Sequence, residues 1–297
     1  SKPITPQQIV DILVASGSES NNSNGLDDVS KMDAVRMVTE RRLTAHFQPQ
    51  VDLQSGEITS CEALARCQLP GREILSAAQF VPALVENGFA LALFDIVMKQ
   101  AAAAIRDWHD HGLKIPCSVN LAPSLLDDLE LPDRICDLLV LHKVAPSDIT
   151  IELTEQMTQL PLDNFIEVLT RLRMQGFGLS LDDFGVEASN FDRLSALPFT
   201  EVKIDRSLVA GCSDDVAKRA TIRAISTIAA QHEMTVLAEG IETQEDFDTL
   251  GQLGVDLGQG YFIAMPKTAA EVLVDHGGRP TQSEWNELVE RRVKASR

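Results

Sequence analysis

The feature that most restricts what this chain can become is a regular alternation, from about residue 31 onward, of short apolar runs with apolar residues at helical spacing. The runs at 117–121, 149–153, 179–181, 202–204, 235–238 and 257–262 read as strands. Between them, 91–111, 162–175 and 216–232 read as helices, as in the series Ile222, Ile225, Ile228, Ala229. Ahead of these lie a helix at 31–42 and two further runs, 46–51 and 58–64, separated by the turn residues Gln54-Ser55-Gly56, which predict an antiparallel hairpin. Ser76-Ala77-Ala78-Gln79 has the form of a capping box that opens another helix. Counting the hairpin gives about eight strands, and their alternation with helices over roughly 250 residues predicts an α/β fold. The expected form is a closed (β/α)8 barrel whose first strand runs antiparallel to the rest. An open doubly wound sheet is the rival, but it would normally show an early G-x-G-x-x-G turn, which is missing here.

Charge narrows the partners. The 297 residues hold 26 Lys+Arg against 44 Asp+Glu, a formal charge of −18. Such an excess repels DNA and anionic membranes, which are bound through Lys/Arg neutralisation of phosphate. No apolar run approaches the roughly 18 residues that span a bilayer, and the N-terminus lacks the order of a secretion signal. Five scattered cysteines without a C-x-x-C pair read as reduced thiols. Together these predict a cytoplasmic protein that binds neither DNA nor membrane.

The barrel is expected over 31–278. Before it, residues 1–14 read as a short amphipathic helix (Ile9, Val10, Ile12, Leu13) and 15–30 as a small, polar, flexible linker. After it, 279–297 reads as a C-terminal helix with Trp285, Leu288, Val289 and Val293 apolar.

The chemistry sits where each apolar run ends. In order, these ends carry Glu62, Asn120, Glu152, Asp182 with Asp183, Lys203 with Asp205, Glu239 and Gln259. In a barrel the C-terminal strand ends converge on one mouth. Acidic groups gathered there would repel one another strongly in a partly desolvated cavity unless cations neutralised them. Carboxylate and amide oxygens without His or Cys are hard donors, suited to Mg²⁺, Mn²⁺ or Ca²⁺ rather than zinc. Adjacent Asp182 and Asp183 could serve two ions at once, and paired metals roughly 3.5–4 Å apart are an arrangement that cleaves phosphate esters. The bland alternative is a barrel whose rim acids are merely solvated. Asp205 and Glu242 could each orient a ligand or a water instead of touching metal. The D-F-G at 183–185 lacks the other kinase motifs.

Glu62-Ala63-Leu64-Ala65-Arg66 is an E-A-L-x-R signature. With Asn120-Leu121, Glu152-Leu153-Thr154-Glu155, Asp182-Asp183-Phe184-Gly185, Lys203-Ile204-Asp205-Arg206, Ala238-Glu239-Gly240-Ile241-Glu242 and Gln259-Gly260-Tyr261, the chain from about 35 to 277 resembles the EAL-domain family. That resemblance implies a barrel with an antiparallel first strand and a cyclic di-GMP phosphodiesterase that yields linear pGpG, or a cyclic di-GMP receptor. It implies one metal held by Glu62, Asn120, Glu152 and Asp182, a second ligated by Asp183, and Glu239 as a further metal-site carboxylate. Mg²⁺ or Mn²⁺ would be the cofactor and Ca²⁺ an inhibitor. Lys203 would orient the attacking water with Asp205 beside it, Gln259 would lie near the substrate, and Leu64 and Arg66 would contact the dinucleotide. Glu155 would anchor the loop after Asp182-Asp183, and the protein would be a homodimer. Where active members commonly read D-D-F-G-T-G-Y-S-S, this chain continues Val186-Glu187-Ala188-Ser189-Asn190, so a receptor that holds the nucleotide uncut stands as the rival reading. Lys2-Pro3 before the first helix resembles the end of a response-regulator receiver domain, which implies such a domain upstream.

Overall fold

In the computed structural model, which describes residues 29–154, 162–185 and 197–276, the strands owe their places to a two-residue alternation. The chain runs α1 (Lys31–Thr39), β1 (Leu43–Asp52), β2 (Ile58–Gln68), β3 (Ile74–Ser76), α2 (Ala77–Glu86), α3 (Ala90–Asp110), β4 (Cys117–Asn120), α4 (Leu131–His142) and β5 (Ile149–Thr154). It continues with α5 (Leu162–Gln175), β6 (Gly178–Phe184), β7 (Glu201–Ile204), α6 (Arg206–Val209), α7 (Val216–Gln231), β8 (Thr235–Ala238), α8 (Gln244–Gln252), β9 (Leu257–Gly258) and α9 (Ala269–His276). Ile151, Leu153, Leu179, Leu181, Val202, Ile204, Val236 and Ala238 are buried and form the apolar face of their strands. α5 packs on β6, and α7 on β7 and β8. The intervening residues Ser118, Asn120, Thr150, Glu152, Ser180, Asp182, Glu201 and Lys203 are polar, and the other face of a strand is where they must point.

Register lines those polar residues up. Asn120 pairs with Glu152, Glu152 with Ser180, Thr154 with Asp182, and Ser180 with Glu201. β2, β4, β5, β6, β7, β8 and β9 follow one another in parallel, while β1 pairs antiparallel with β9 and also with β2. Eight strands therefore close a barrel with a reversed first strand, as the sequence predicts. The connection between β1 and β2 is fixed by Asp52, whose carboxylate accepts from the N–H of Gln54 (3.0 Å) and of Ser55 (2.7 Å), with Gly56 at φ 71° completing the turn.

The described residues divide into two compact units, one drawn from 29–44 and 65–96, the other from 45–64 and the described residues of 97–276. In the smaller, Arg66, Cys67 and Gln68 pair antiparallel with Ser76, Leu75 and Ile74, and α1 packs on α2, burying Met37, Phe80 and Leu84. Gln79 Oε1 accepts from both the N–H (2.8 Å) and the hydroxyl (2.9 Å) of Ser76, so the expected capping sequence does open α2. The larger unit holds the lumen described below.

The structure departs from the sequence reading in three places. The helix expected at 31–42 ends at Thr39, where Glu40 caps it and Arg41 turns left-handed at φ 54°. β3 was not expected. The strand expected at 257–262 stops at Gly258, because the chain is drawn round the connection after β8. There, Ile241 donates its N–H to Gln259 O and accepts from the Phe262 N–H, both at 3.0 Å. A Cβ on Gly260 would lie 2.1 Å from Ile241 O, so only glycine permits this approach. All five cysteines are free, and Cys136 alone is not fully buried. No described helix is long and apolar enough to cross a membrane. The expected helix at 1–14, nearly all of the linker, and the helix at 279–297 lie outside the described residues.

Candidate active site

Lys203 is the centre on which the polar faces converge. Its Nζ lies 2.5 Å from Glu239, 3.1 Å from Glu152, 3.4 Å from Asp182 and 3.6 Å from Glu62. These residues come from β2, β5, β6 and the end of β8, and Lys203 itself has no exposed surface. Burial alone would lower the lysine pKa, but Glu152, Glu239, Glu62 and Asp182 together raise it well above its ordinary value, so it stays an ammonium. One positive charge does not satisfy four carboxylates. Burial, with Glu62 beside it, pushes Glu152 well above the carboxylate range, and burial pushes Glu239 up to about 8 against the pull of Lys203. Glu62 is the exception: burial pushes it upward, yet Lys203 and donors including Gln259 and Asn120 hold it below its ordinary value.

Beside this charged cluster runs a neutral one. Gln259 donates to Gln48 (3.0 Å) and to Glu62 (2.6 Å) and accepts from Gln50 (2.8 Å). Gln50 in turn accepts from the Ser60 hydroxyl at 2.5 Å, and Gln48 donates to Ala264 O at 3.0 Å. Asn120 donates to the other oxygen of Glu62 at 2.9 Å. Glu62 is thus held on both oxygens by amides.

Two adjacent aspartates on a regular strand would face opposite ways. Here the register of β6 against β7 shifts between Leu181 and Phe184, and Asp183 adopts a left-handed φ of 58°. This bulge aims both carboxylates to one side, and oxygens of Asp182, Asp183 and Glu239 lie within 4.8 Å of one another. The donor set fits hard divalent cations: it is oxygen-rich and carries more negative charge than Lys203 offsets. Both buried carboxylate oxygens of Glu152 accept no hydrogen bond in proper geometry, although the Lys203 ammonium is near. A buried carboxylate with so few donors is costly, and a cation would relieve that cost.

Above the cluster opens a cavity of about 290 Å³, lined by Glu62, Leu64, Asp182, Glu239, Gln259 and, at its rim, Arg206, Glu242 and Tyr261. Arg206 and Glu242 form an ion pair of 2.6 Å. Gly240, at φ 66°, lets the Arg206 stem pass, since a Cβ there would lie 2.4 Å from Arg206 Cγ.

Of the residues singled out in the sequence, Glu62, Asn120, Glu152, Asp182, Asp183, Lys203, Glu239 and Gln259 belong to these linked groups. Asp205 does something more local: its carboxylate caps α6 by accepting from the Ser207 N–H at 2.8 Å. Arg66 lies on β2 in the smaller unit, where its Nη1 donates to Ala65 O at 2.9 Å. Glu155 and the loop at 186–190 lie outside the described residues. Gln48, Gln50 and Tyr261 were missed as individual site residues. The first two could have been found from their spacing, which puts two amides on the same face of β1.

Residues 32–266 match the family model described as EAL domain. The oxygen sensor protein DosP of Escherichia coli is 33% identical over 236 residues, 79% of this chain and 30% of DosP. The cyclic di-GMP phosphodiesterase RocR of Pseudomonas aeruginosa is 29% identical over 269 residues, 89% of this chain and 69% of RocR. Among solved structures, a PaMucR phosphodiesterase in complex with c-di-GMP has a TM-score of 0.77 and 29% identity, covering 82% of this chain and 99% of that one. The chain spans about a third of the length of DosP and of two further curated relatives from Pseudomonas aeruginosa.

Proposed function

Because the chain belongs to the EAL-domain family, we propose that it is a phosphodiesterase that hydrolyses cyclic di-GMP to linear pGpG with Mg²⁺ or Mn²⁺. The observation that carries this reading is the set of four carboxylates gathered around the single ammonium of Lys203, with Glu152 accepting no hydrogen bond in proper geometry. Glu62, Asn120, Glu152 and Asp182 would hold one cation, and Asp183 with Glu239 a second. When bound, such a pair supplies an activated water and neutralises charge building on the phosphate. Lys203, an ammonium, would orient the attacking water by donating to it and would stabilise negative charge beneath the cavity. Gln259 and Asn120 fix both oxygens of Glu62 and so its aim. Leu64 and Arg66 would contact the dinucleotide, Arg66 offering its fork of donors to a phosphate. Asp205, as cap of α6, fixes where the chain turns after Lys203.

Organisation follows the same reading. The chain would act as a homodimeric, cytoplasmic output module, with 1–14 the end of an upstream receiver domain, 15–30 a linker and Glu155 an anchor for the loop after Asp183. Ca²⁺ would inhibit by occupying the oxygen ligands with looser geometry than catalysis needs.

The test is chromatography of cyclic di-GMP after incubation with the protein and Mg²⁺, Mn²⁺, Ca²⁺ or chelator. Formation of pGpG with Mg²⁺ or Mn²⁺, its loss with chelator, and its loss in Glu62→Ala are the expected results. A second reading, a receptor that binds without cutting, draws on Val186-Glu187-Ala188-Ser189-Asn190, which replaces the usual glycine and tyrosine of that loop. Intact nucleotide with measurable binding would favour it.

A further inference from the structure

Arg206 and Glu242 stand on two separate connections, one leaving β7 and one leaving β8, and both line the cavity rim. Their ion pair is largely exposed, at 63% and 45% of the side chains. A pair so wet contributes little, about 0–1 kcal/mol, and cannot by itself keep two connections in register. Something behind it must.

Asp246 links the same two connections. It is 3% exposed and occupies the third position of α8, after the N-cap Thr243. Thr-x-x-Asp has the form of a capping box, in which the acidic side chain would turn back to the N–H of the cap. The Thr243 hydroxyl does accept from the Asp246 N–H at 3.1 Å, but the carboxylate does not close the box. One oxygen accepts from the Thr243 hydroxyl (2.9 Å) and from the Gly211 N–H (3.0 Å), and the other accepts from the Ser213 N–H (3.0 Å). Gly211 at φ 72° gives the turn that carries these two amides. The segment so held is the one that follows α6 and Arg206. Lys218 also fastens this segment, donating to Ser207 O and Ala210 O at 2.6 Å each.

We propose that Asp246 is a positioning residue for the substrate: it ties the segment carrying Arg206 to the helix that follows Glu242 and so fixes the rim of the cavity. It touches no substrate itself. Its hydrogen bonds are charge-assisted and shielded from water, and therefore stronger than the exposed pair that they support. The proposal uses the cyclic di-GMP reading only for its ligand.

The test compares wild type, Asp246→Asn, Arg206→Ala and the double variant, with steady-state hydrolysis and amide hydrogen exchange. Asp246→Asn keeps the volume but sets an amide group against a backbone N–H. It should raise KM roughly tenfold with kcat within about twofold, as expected when substrate positioning and not chemistry is lost. Exchange at 206–213 should accelerate. The double variant should raise KM little beyond Arg206→Ala, because both substitutions remove the same rim contact. A lowered melting temperature with unchanged KM, or full additivity, would overturn the proposal by making Asp246 merely structural. If wild type binds cyclic di-GMP without cutting it, the hydrolysis reading fails and Kd takes the place of KM. A roughly tenfold weakening in Asp246→Asn then supports the tie, and an unchanged Kd overturns it.

Discussion

Two buried polar groups meet at Glu62 and solve the problem of burial in opposite ways. The amide group of Gln48, Gln50, Gln259 and Ser60 is neutral, and its hydrogen bonds run among its own members, to Ala264 O and, from Gln259, to Glu62. The charged group of Lys203, Glu62, Glu152, Asp182 and Glu239 is not closed: four carboxylates share one ammonium, and Glu152, 3.1 Å from that ammonium, accepts no hydrogen bond in proper geometry. A saturated network holds shape, whereas an unsaturated one leaves acceptors that a cation can satisfy. The difference separates scaffold from chemistry within a single lumen.

The comparison breaks most visibly at Lys203. Lys203→Met keeps the stem but leaves the carboxylates uncompensated, which should destabilise the protein by about 3–5 kcal/mol. Denaturant unfolding should show this loss, and saturating Mg²⁺ should return part of it. Turnover should fall at least a thousandfold on the scale of removing a residue from the reacting centre. Gln259→Leu strikes the neutral network. It leaves Gln50, Gln48 and Glu62 short of partners and should cost about 1–3 kcal/mol, with no recovery in Mg²⁺. Equal recovery of both variants would erase the distinction between the two groups.

The pH dependence of the metal-free protein sharpens it further. Burial, opposed by Lys203, raises the Glu239 pKa from 4.5 to about 8. The folded state therefore holds a proton between these values that the unfolded state has released, so this stabilising contribution is full below about 4.5 and is lost as pH rises through about 8. Glu239→Gln should flatten that decline in melting curves taken from pH 5 to 9. The amide network contributes no such slope. The smallest effect is expected of Ser60→Ala, which takes one donor from Gln50 while Gln50 still reaches Gln259. The loss should be about 0.5–1.5 kcal/mol, with kcat unchanged.

The barrel and most of the floor were legible because each depends on a two-residue period. Ser118 and Asn120, Thr150 and Glu152, Ser180 and Asp182, Glu201 and Lys203 each flank an apolar residue, so strand, face and strand end are readable together. What the period does not encode was not readable. The pairing of Asp183 with Asp182 is expected from the sequence, but the bulge and left-handed φ that turn both to one side are not. The shortness of β9 depends on Gly260 pressing against Ile241, a contact between distant segments. Asp246 looks locally like a helix cap, and its partners Gly211 and Ser213 become visible only in three dimensions.

The central claim is that the charged floor is incomplete without divalent cations. Calorimetric titration of Mn²⁺ into metal-free protein tests it most directly, with Glu152→Gln and Gln259→Leu as the paired comparison. Saturable binding in wild type, lost in Glu152→Gln and largely kept in Gln259→Leu, is the predicted result. Absence of saturable binding, or equal affinity in wild type and Glu152→Gln, would contradict the account.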